Sequence, residues 1–421
     1  MTRAPAAFLL LLSLACSPGP KPRSVVLVTL DTTRVDALGV YGGRGITPHL
    51  DAFARTAVRF EQAFTTAPYT GPSHASLLTG QNPPAHGLRD YLEQALPDTA
   101  TTLAEILRDR GYQTAAFVST YVLDPRFGLD QGFDVYDSPE RSGEGGAHWR
   151  PGPDTVARAL AWLQGRDAAR PFLLWVHLYD AHSPSMPPQV SVSREMIEVR
   201  RERYYEQVSV LDQETNRVLS ALATLQEGDE ILIAIASDHG EMLGEYGRKL
   251  GAHSSALVET TIRIPLLLRI PGRLPPGVQR QPVSLIDVLP TLLEALEIPL
   301  LEQVEGRSLP SPHRDVVPAY SETFYAYVGR AKDGKQTASL RDGRFVLLSR
   351  PGGDKLFDLA SDPAEREDVS ARHPERFARF RQRLAHLQRG WSDAPAPKLL
   401  DFSIDEQADH EERLRALGYL E

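Results

Sequence analysis

The chain has 421 residues, 42% of them hydrophobic and 24% charged, with a formal net charge of -9. That length suits one large domain with an appendage, or two domains, and the acidic balance excludes nucleic acid and an anionic membrane face as partners. An anionic substrate would therefore need local positive charge, which a metal could supply, and the single cysteine excludes an intramolecular disulfide.

From the start, Arg3 precedes the apolar run Ala6 to Leu12, followed by Ser13-Leu14-Ala15-Cys16. Residues 1–15 read as a secretory signal, too short to span a bilayer as a stable anchor. Cys16, followed by the Pro-rich residues 17–23, resembles a bacterial lipoprotein processing site. The expectation is an exported protein of the cell envelope, tethered by lipid on Cys16 and by no other membrane contact.

Ser24 to Leu30 is a continuous apolar, β-branched run of the kind buried on both faces of a parallel sheet, and it ends in Asp31. The stretch Thr101 to Arg110, closed by Gly111, reads as a helix before a strand at Gln113 to Val118. A second helix at Thr155 to Gln164 precedes a strand at Phe172 to Tyr179, which runs into Asp180 and His182. A polar helix through Tyr205 to Leu225 leads to the strand Glu230 to Ser237, which ends in Asp238-His239-Gly240-Glu241. In an open α/β sheet ligands bind outside the carboxyl ends of the strands, so Asp31, Asp180, His182, Asp238 and His239 are expected to face one crevice.

Thr70 is expected to enter that crevice from a loop. In Ala67-Pro68-Tyr69-Thr70-Gly71-Pro72-Ser73-His74 it stands at the start of a helix that Pro72 suits and Gly80 stops. A helix N-terminus favours a deprotonated nucleophile and an adjacent anionic group. Asp31, Thr70, Asp238 and His239 form a mixed oxygen and nitrogen shell for a divalent cation, whose charge lowers the pKa of the threonine hydroxyl. The alkoxide would attack phosphorus or sulfur in line and leave a covalent ester for water to cleave. His182 and His253 are candidates to bind the transferred group or protonate the leaving oxygen.

Taken together, Leu27 to Gly39, Thr47-Pro48-His49-Leu50-Asp51, Pro72 to Gly80, Ser237 to Glu241 with His253, Ile286 to Thr291, and Leu356 to Leu359 with Asp362-Pro363 carry a resemblance. The chain resembles the sulfatases of the alkaline phosphatase superfamily from about Val25 to Leu420. The resemblance implies an alkaline-phosphatase-like α/β sandwich with a large mixed, mostly parallel sheet flanked by helices. It also implies a catalytic domain at 24–308 and a small C-terminal sheet subdomain at 309–421 packed on it. In that region Ala338 to Leu340 and Phe345 to Leu348 flank a hairpin signal, and Pro374 to Gln388 and Glu411 to Leu420 read as helices.

Departures from the family pattern limit what carries over. Sulfatases hold a Cys or Ser, oxidised to formylglycine, where Thr70 stands, and threonine cannot form that aldehyde. The family's Arg is His74, its Lys and His are Ser119 and Tyr121, and the second of its paired acids is Thr32. A Thr nucleophile instead resembles the phosphotransferring branch of the superfamily, in which Asp180, His182 and His253 would hold a second metal and Ser73 and His74 would meet the substrate. The expected function is a metal-dependent hydrolase or transferase of phosphate-type or sulfate-type esters, with manganese, zinc, calcium or magnesium, on a small-molecule, glycan or lipid ester. A sulfatase working without formylglycine and a catalytically inactive binding protein are the alternatives.

Overall fold

Every residue of the run Val25–Leu30 is buried, as a strand packed on both faces must be, and it forms β1 at the centre of an eight-stranded sheet. The computed structural model describes residues 24–90, 93–139, 148–182, 194–226, 228–245, 253–309, 317–324, 336–392, 394 and 396–417. The signal, Cys16 and the end of the helix read at Glu411 to Leu420, from residue 418 on, lie outside the described residues.

The other strands of the sheet are β2 (Val58–Phe60), β3 (Gln113–Phe117), β4 (Val135–Asp137), β5 (Phe172–Leu178), β6 (Leu232–Ala236), β7 (Leu266–Arg269) and β8 (Gly277–Gln279), in the order β8-β2-β7-β6-β1-β5-β3-β4. β6, β1, β5, β3 and β4 are parallel neighbours, and β7 runs antiparallel to both β6 and β2. The sheet is therefore mixed and mostly parallel.

Helices α1 (Pro48–Ala54), α2 (Thr70–Thr79), α3 (Leu103–Arg108), α4 (Gly152–Gly165), α5 (Arg194–Ala223) and α6 (Val288–Ala295) cover it. The two-residue period of β1 divides its side chains between two cores. Val26, Val28 and Leu30 pack with Phe53 of α1, Val156 of α4 and Val208 of α5. Val25 and Leu27 pack with Leu77 of α2, Leu103 of α3 and Leu289 of α6. Each such side chain, fully removed from water, contributes about 1.5–3 kcal/mol.

A four-stranded antiparallel meander follows, β9 (Ala319–Thr323), β10 (Thr337–Arg341), β11 (Phe345–Ser349) and β12 (Lys355–Asp358). The turn between β10 and β11 is the expected hairpin, and α7 (Pro374–Gly390) covers the sheet through Phe380 and Leu384. The final helix, α8 (Ile404–Ala416), returns to the large sheet's end, where Leu414 and Leu417 pack against Tyr69, Tyr121 and Tyr179. No helix among the described residues is long and apolar enough to cross a membrane.

Candidate metal centre and active site

Strand parity decides which side chains meet. Thr29 pairs in register with His177 of β5 and with Ala236 of β6, and Thr29 belongs to the face covered by α2. Two residues on, Asp31 and Asp238 point to that same face, where α2 brings Thr70. The Thr70 hydroxyl donates to Asp31 Oδ2 at 3.3 Å, and ligand atoms of Asp31, Asp238 and His239 all lie within 4.8 Å of one another. All four residues are buried.

Local structure holds each of them. Thr70 opens α2, Pro72 sits in its first turn, and Gly80 ends the helix in the left-handed region at φ 68°, its N–H donating to Ser76 O at 2.9 Å. Thr32, a β-branched residue at φ 51°, is held in a conformation that costs it energy, and this turn brings its N–H to Asp238 Oδ1 at 3.2 Å. The Tyr204 hydroxyl braces the turn from α5, donating to Thr32 O at 3.0 Å and accepting from Arg34 N at 2.8 Å. Ser237 accepts from Thr33 N at 3.0 Å, tying the end of β1 to the end of β6. A Cβ on Gly240 would stand 2.1 Å from Thr260 O, so the turn after His239 requires glycine.

The donor set fits a cation. His239 Nδ1–H donates to Gly240 O at 2.9 Å, which leaves Nε2 as a lone pair 3.4 Å from Asp238 Oδ2. Two acceptors face each other there. Asp31 Oδ1, Asp238 Oδ2 and His239 Nε2 are buried without a hydrogen-bond partner among the described residues, which a divalent ion would relieve. Burial and the neighbouring Asp238 push the Asp31 carboxyl well above its ordinary range. Asp238 is also buried, but the His239, His74 and His177 imidazoles outweigh that and hold it below.

A second group of side chains adjoins the first. His253 stacks on His239 at 4.6 Å between ring centroids and meets His182 edge-on at 5.3 Å, while His182 stacks on Tyr179 at 4.3 Å. Glu241 Oε2 lies 3.2 Å from His253 Nδ1 and fixes that ring. Burial opposes charge on Glu241, yet His253 leads the interactions that bring it down to about 2. Burial drives His182 well below the usual imidazole value.

Three expected site residues are engaged by the protein itself. Asp180 continues the face of Leu178, away from α2, and both its oxygens accept the Gly152 N–H at 3.0 and 3.1 Å, so it caps α4 and does not join the histidines. The Ser73 hydroxyl donates to Asp238 O at 2.7 Å and lies 2.8 Å from Thr65 Oγ1, committed to the protein and not to a substrate. His74 lies beneath the site, Nδ1 on Thr70 O at 2.8 Å and its ring 5.3 Å from Trp175; burial lowers its pKa to about 3, so it carries no charge where the family has an arginine.

Of the family's other two cation positions, Ser119 donates to His177 O at 2.7 Å and the Tyr121 hydroxyl lies 3.0 Å from His410 Nδ1 of α8. His177 and Glu241 were missed as site residues. His177 Nε2 lies 3.1 Å from Asp31 Oδ2, and the Ser119 N–H at Nδ1 fixes the tautomer that donates to it. Its signal was a lone polar residue in the apolar run Phe172–Leu178, on the parity that faces α2.

The sulfatase family profile matches residues 23–298, and the profile described as N-sulphoglucosamine sulphohydrolase, C-terminal, matches residues 253–389. An arylsulfatase of Clostridium perfringens is 24% identical, over 86% of this chain and 93% of its own. A steryl-sulfatase of Mus musculus is 27% identical, over 87% and 81%. Among solved structures, the phosphonate monoester hydrolase of Agrobacterium radiobacter gives a TM-score of 0.74 at 20% identity, over 88% of this chain and 96% of that one. A chain solved in complex with its substrate D-glucosamine-2-N,6-O-disulfate gives 0.75 at 20% identity, over 89% and 99%. Fold, site and relatives together define an ester hydrolase of the alkaline phosphatase superfamily. Within that class the chain belongs to the sulfatase family.

Proposed function

We propose that the protein is an exported, metal-dependent hydrolase of sulfate-type or phosphate-type esters in which Thr70 is the nucleophile. The observation that carries this reading is the Thr70 hydroxyl at the N-terminus of α2, 3.3 Å from Asp31 and beside three buried polar atoms that have no hydrogen-bond partner among the described residues. A divalent cation bound by Asp31, Thr70, Asp238 and His239 would supply the positive charge the site lacks and lower the pKa of the threonine hydroxyl. Oxygen and imidazole donors suit manganese or zinc.

The chain's own groups then divide the work. Asp31 takes the hydrogen of Thr70 Oγ1, and the freed lone pair forms a bond to sulfur or phosphorus as the bond to the leaving oxygen breaks. His253, oriented by Glu241, gives that oxygen its proton. In the second half His253 takes a proton from the water that attacks the same sulfur or phosphorus, and Asp31 returns its hydrogen to the departing Thr70 oxygen as the inorganic anion is released. The helix N-terminus favours the anionic group throughout.

The names of the relatives concern aryl, steryl and sugar sulfates and a phosphonate monoester, which supports a small-molecule, glycan or lipid ester as substrate. Catalysis is assigned to residues 24–308, with 309–421 as the appended unit, and Cys16 to lipid attachment in the cell envelope. Intact mass of the membrane-extracted protein tests that attachment. Thr70→Ala should abolish turnover with an unchanged circular dichroism spectrum, and full turnover in that variant would refute the mechanism.

One observation favours a second reading, a sulfatase-fold binding protein: His74, Ser119 and Tyr121 are all uncharged and turned to internal partners. A protein that binds no metal and turns over no ester at any metal loading would establish it.

A further inference from the structure

Arg200 lies on α5 with 8% of its surface exposed. Around it, the helix is pinned over the turns that follow β1 and β6. One helical turn further along, Tyr204 touches Thr32 O and Arg34 N; next to it, Arg201 Nε donates to Leu243 O at 2.9 Å; and Ile197 closes on Gly244, where a Cβ would meet it at 3.0 Å. Positions 200 and 204 share one stripe of the helix, so Arg200 faces the same segment from a turn nearer its start. That segment carries Glu241.

Glu241 is not free to pair with Arg200. Its Oε1 accepts the Met242 N–H at 2.8 Å and its Oε2 holds His253. Among the described residues the Arg200 guanidinium makes no hydrogen bond and no ion pair. A guanidinium cannot shed its proton, so Arg200 keeps a charge that no carboxylate among the described residues hydrogen-bonds. Such a group has a use in a site that binds an anion, and here the family's cation positions are filled by His74, Ser119 and Tyr121.

We propose that Arg200 binds the substrate's anionic group, its planar fork donating two hydrogen bonds to non-bridging oxygens of a sulfate-type or phosphate-type ester. This rests on the reading of the site as an ester hydrolase, and it supplies from α5 the charge that the family places elsewhere. Arg200 is then a substrate-binding residue.

The test uses inorganic phosphate and sulfate on the full chain, by thermal shift and as competitive inhibitors. In Arg200→Gln the dissociation constant of phosphate and the KM of an ester substrate should both rise at least about 10-fold, with the unfolding midpoint in the absence of anion unchanged or higher. Arg200→Lys should fall between, keeping the charge and losing the fork. An unchanged phosphate affinity in Arg200→Gln overturns the proposal. So does a midpoint several degrees lower in Arg200→Gln that Arg200→Lys restores while phosphate affinity stays constant, since that outcome makes the residue structural. Phosphate binding needs no turnover, so the result stands apart from whether Thr70→Ala abolishes activity.

Discussion

Replacing Asp31 with asparagine should stabilise the metal-free protein. Its carboxylate and that of Asp238 bring ligand atoms within 4.8 Å, both fully buried. Two full charges at that distance repel by about 3.5 kcal/mol at an effective dielectric constant near 20. Burial and this neighbour raise the Asp31 pKa, so the charged form of Asp31 is disfavoured in the folded, metal-free chain. The sign follows: the penalty is absent below the ordinary carboxylate range and grows as pH rises toward the raised value. Asp238, held low, contributes in the opposite sense, its stabilisation being lost as pH falls.

An asparagine at 31 removes the charge and can still accept from Thr70 and His177 through its carbonyl oxygen. After allowance for weaker hydrogen bonds, Asp31→Asn in a chelator at pH 7 should gain about 2–3 kcal/mol in urea unfolding, the gap closing near pH 4. Manganese or zinc at about 100 times its dissociation constant should stabilise the wild type by about 2.7 kcal/mol and the variant far less. A variant less stable than wild type in chelator, or equally stabilised by metal, would refute the reasoning.

Two further outcomes follow from the contacts around the site. Glu241→Gln, which removes the carboxylate behind His253 while keeping its shape, should lower kcat by about 10- to 100-fold with little change in KM, measured by steady-state kinetics. Leu414→Ala opens a cavity between α8 and the wall formed by Tyr69 and Tyr179; urea unfolding should show a loss of about 2–5 kcal/mol, and a loss under 1 kcal/mol would mean that α8 is not held there.

The central strands were readable because a buried strand is a run of apolar residues, and Asp31, Asp238 and His239 because polarity resumes where such a run ends. Direction was not readable. Leu266-Leu267-Leu268 of β7 is as apolar as its parallel neighbours, and nothing in it marks an antiparallel strand. The first turns of α5 carry Arg200, Arg201 and Glu202, so the helix showed only from Tyr205 onward, although it begins at Arg194. Asp180 looked like a partner of His182 by spacing, but the two-residue alternation of β5 puts it on the opposite face of the sheet from Asp31, at the start of α4. The same alternation puts His177 on the correct face, inside the strand and not beyond its end. The link from Glu241 to His253 spans twelve residues, including some outside the described ones, and no local pattern announces it.

The central claim is that Thr70 carries the reaction on a cation held by Asp31, Asp238 and His239. The most direct measurement is turnover of an aryl sulfate, an aryl phosphate and an aryl phosphodiester by residues 24–421 and by Thr70→Ala, each with manganese, zinc, calcium or magnesium. Metal-dependent turnover of at least one ester, lost by at least about a thousandfold in Thr70→Ala with metal stabilisation retained, is the predicted result. Turnover that survives in Thr70→Ala, or that continues in chelator, would contradict it.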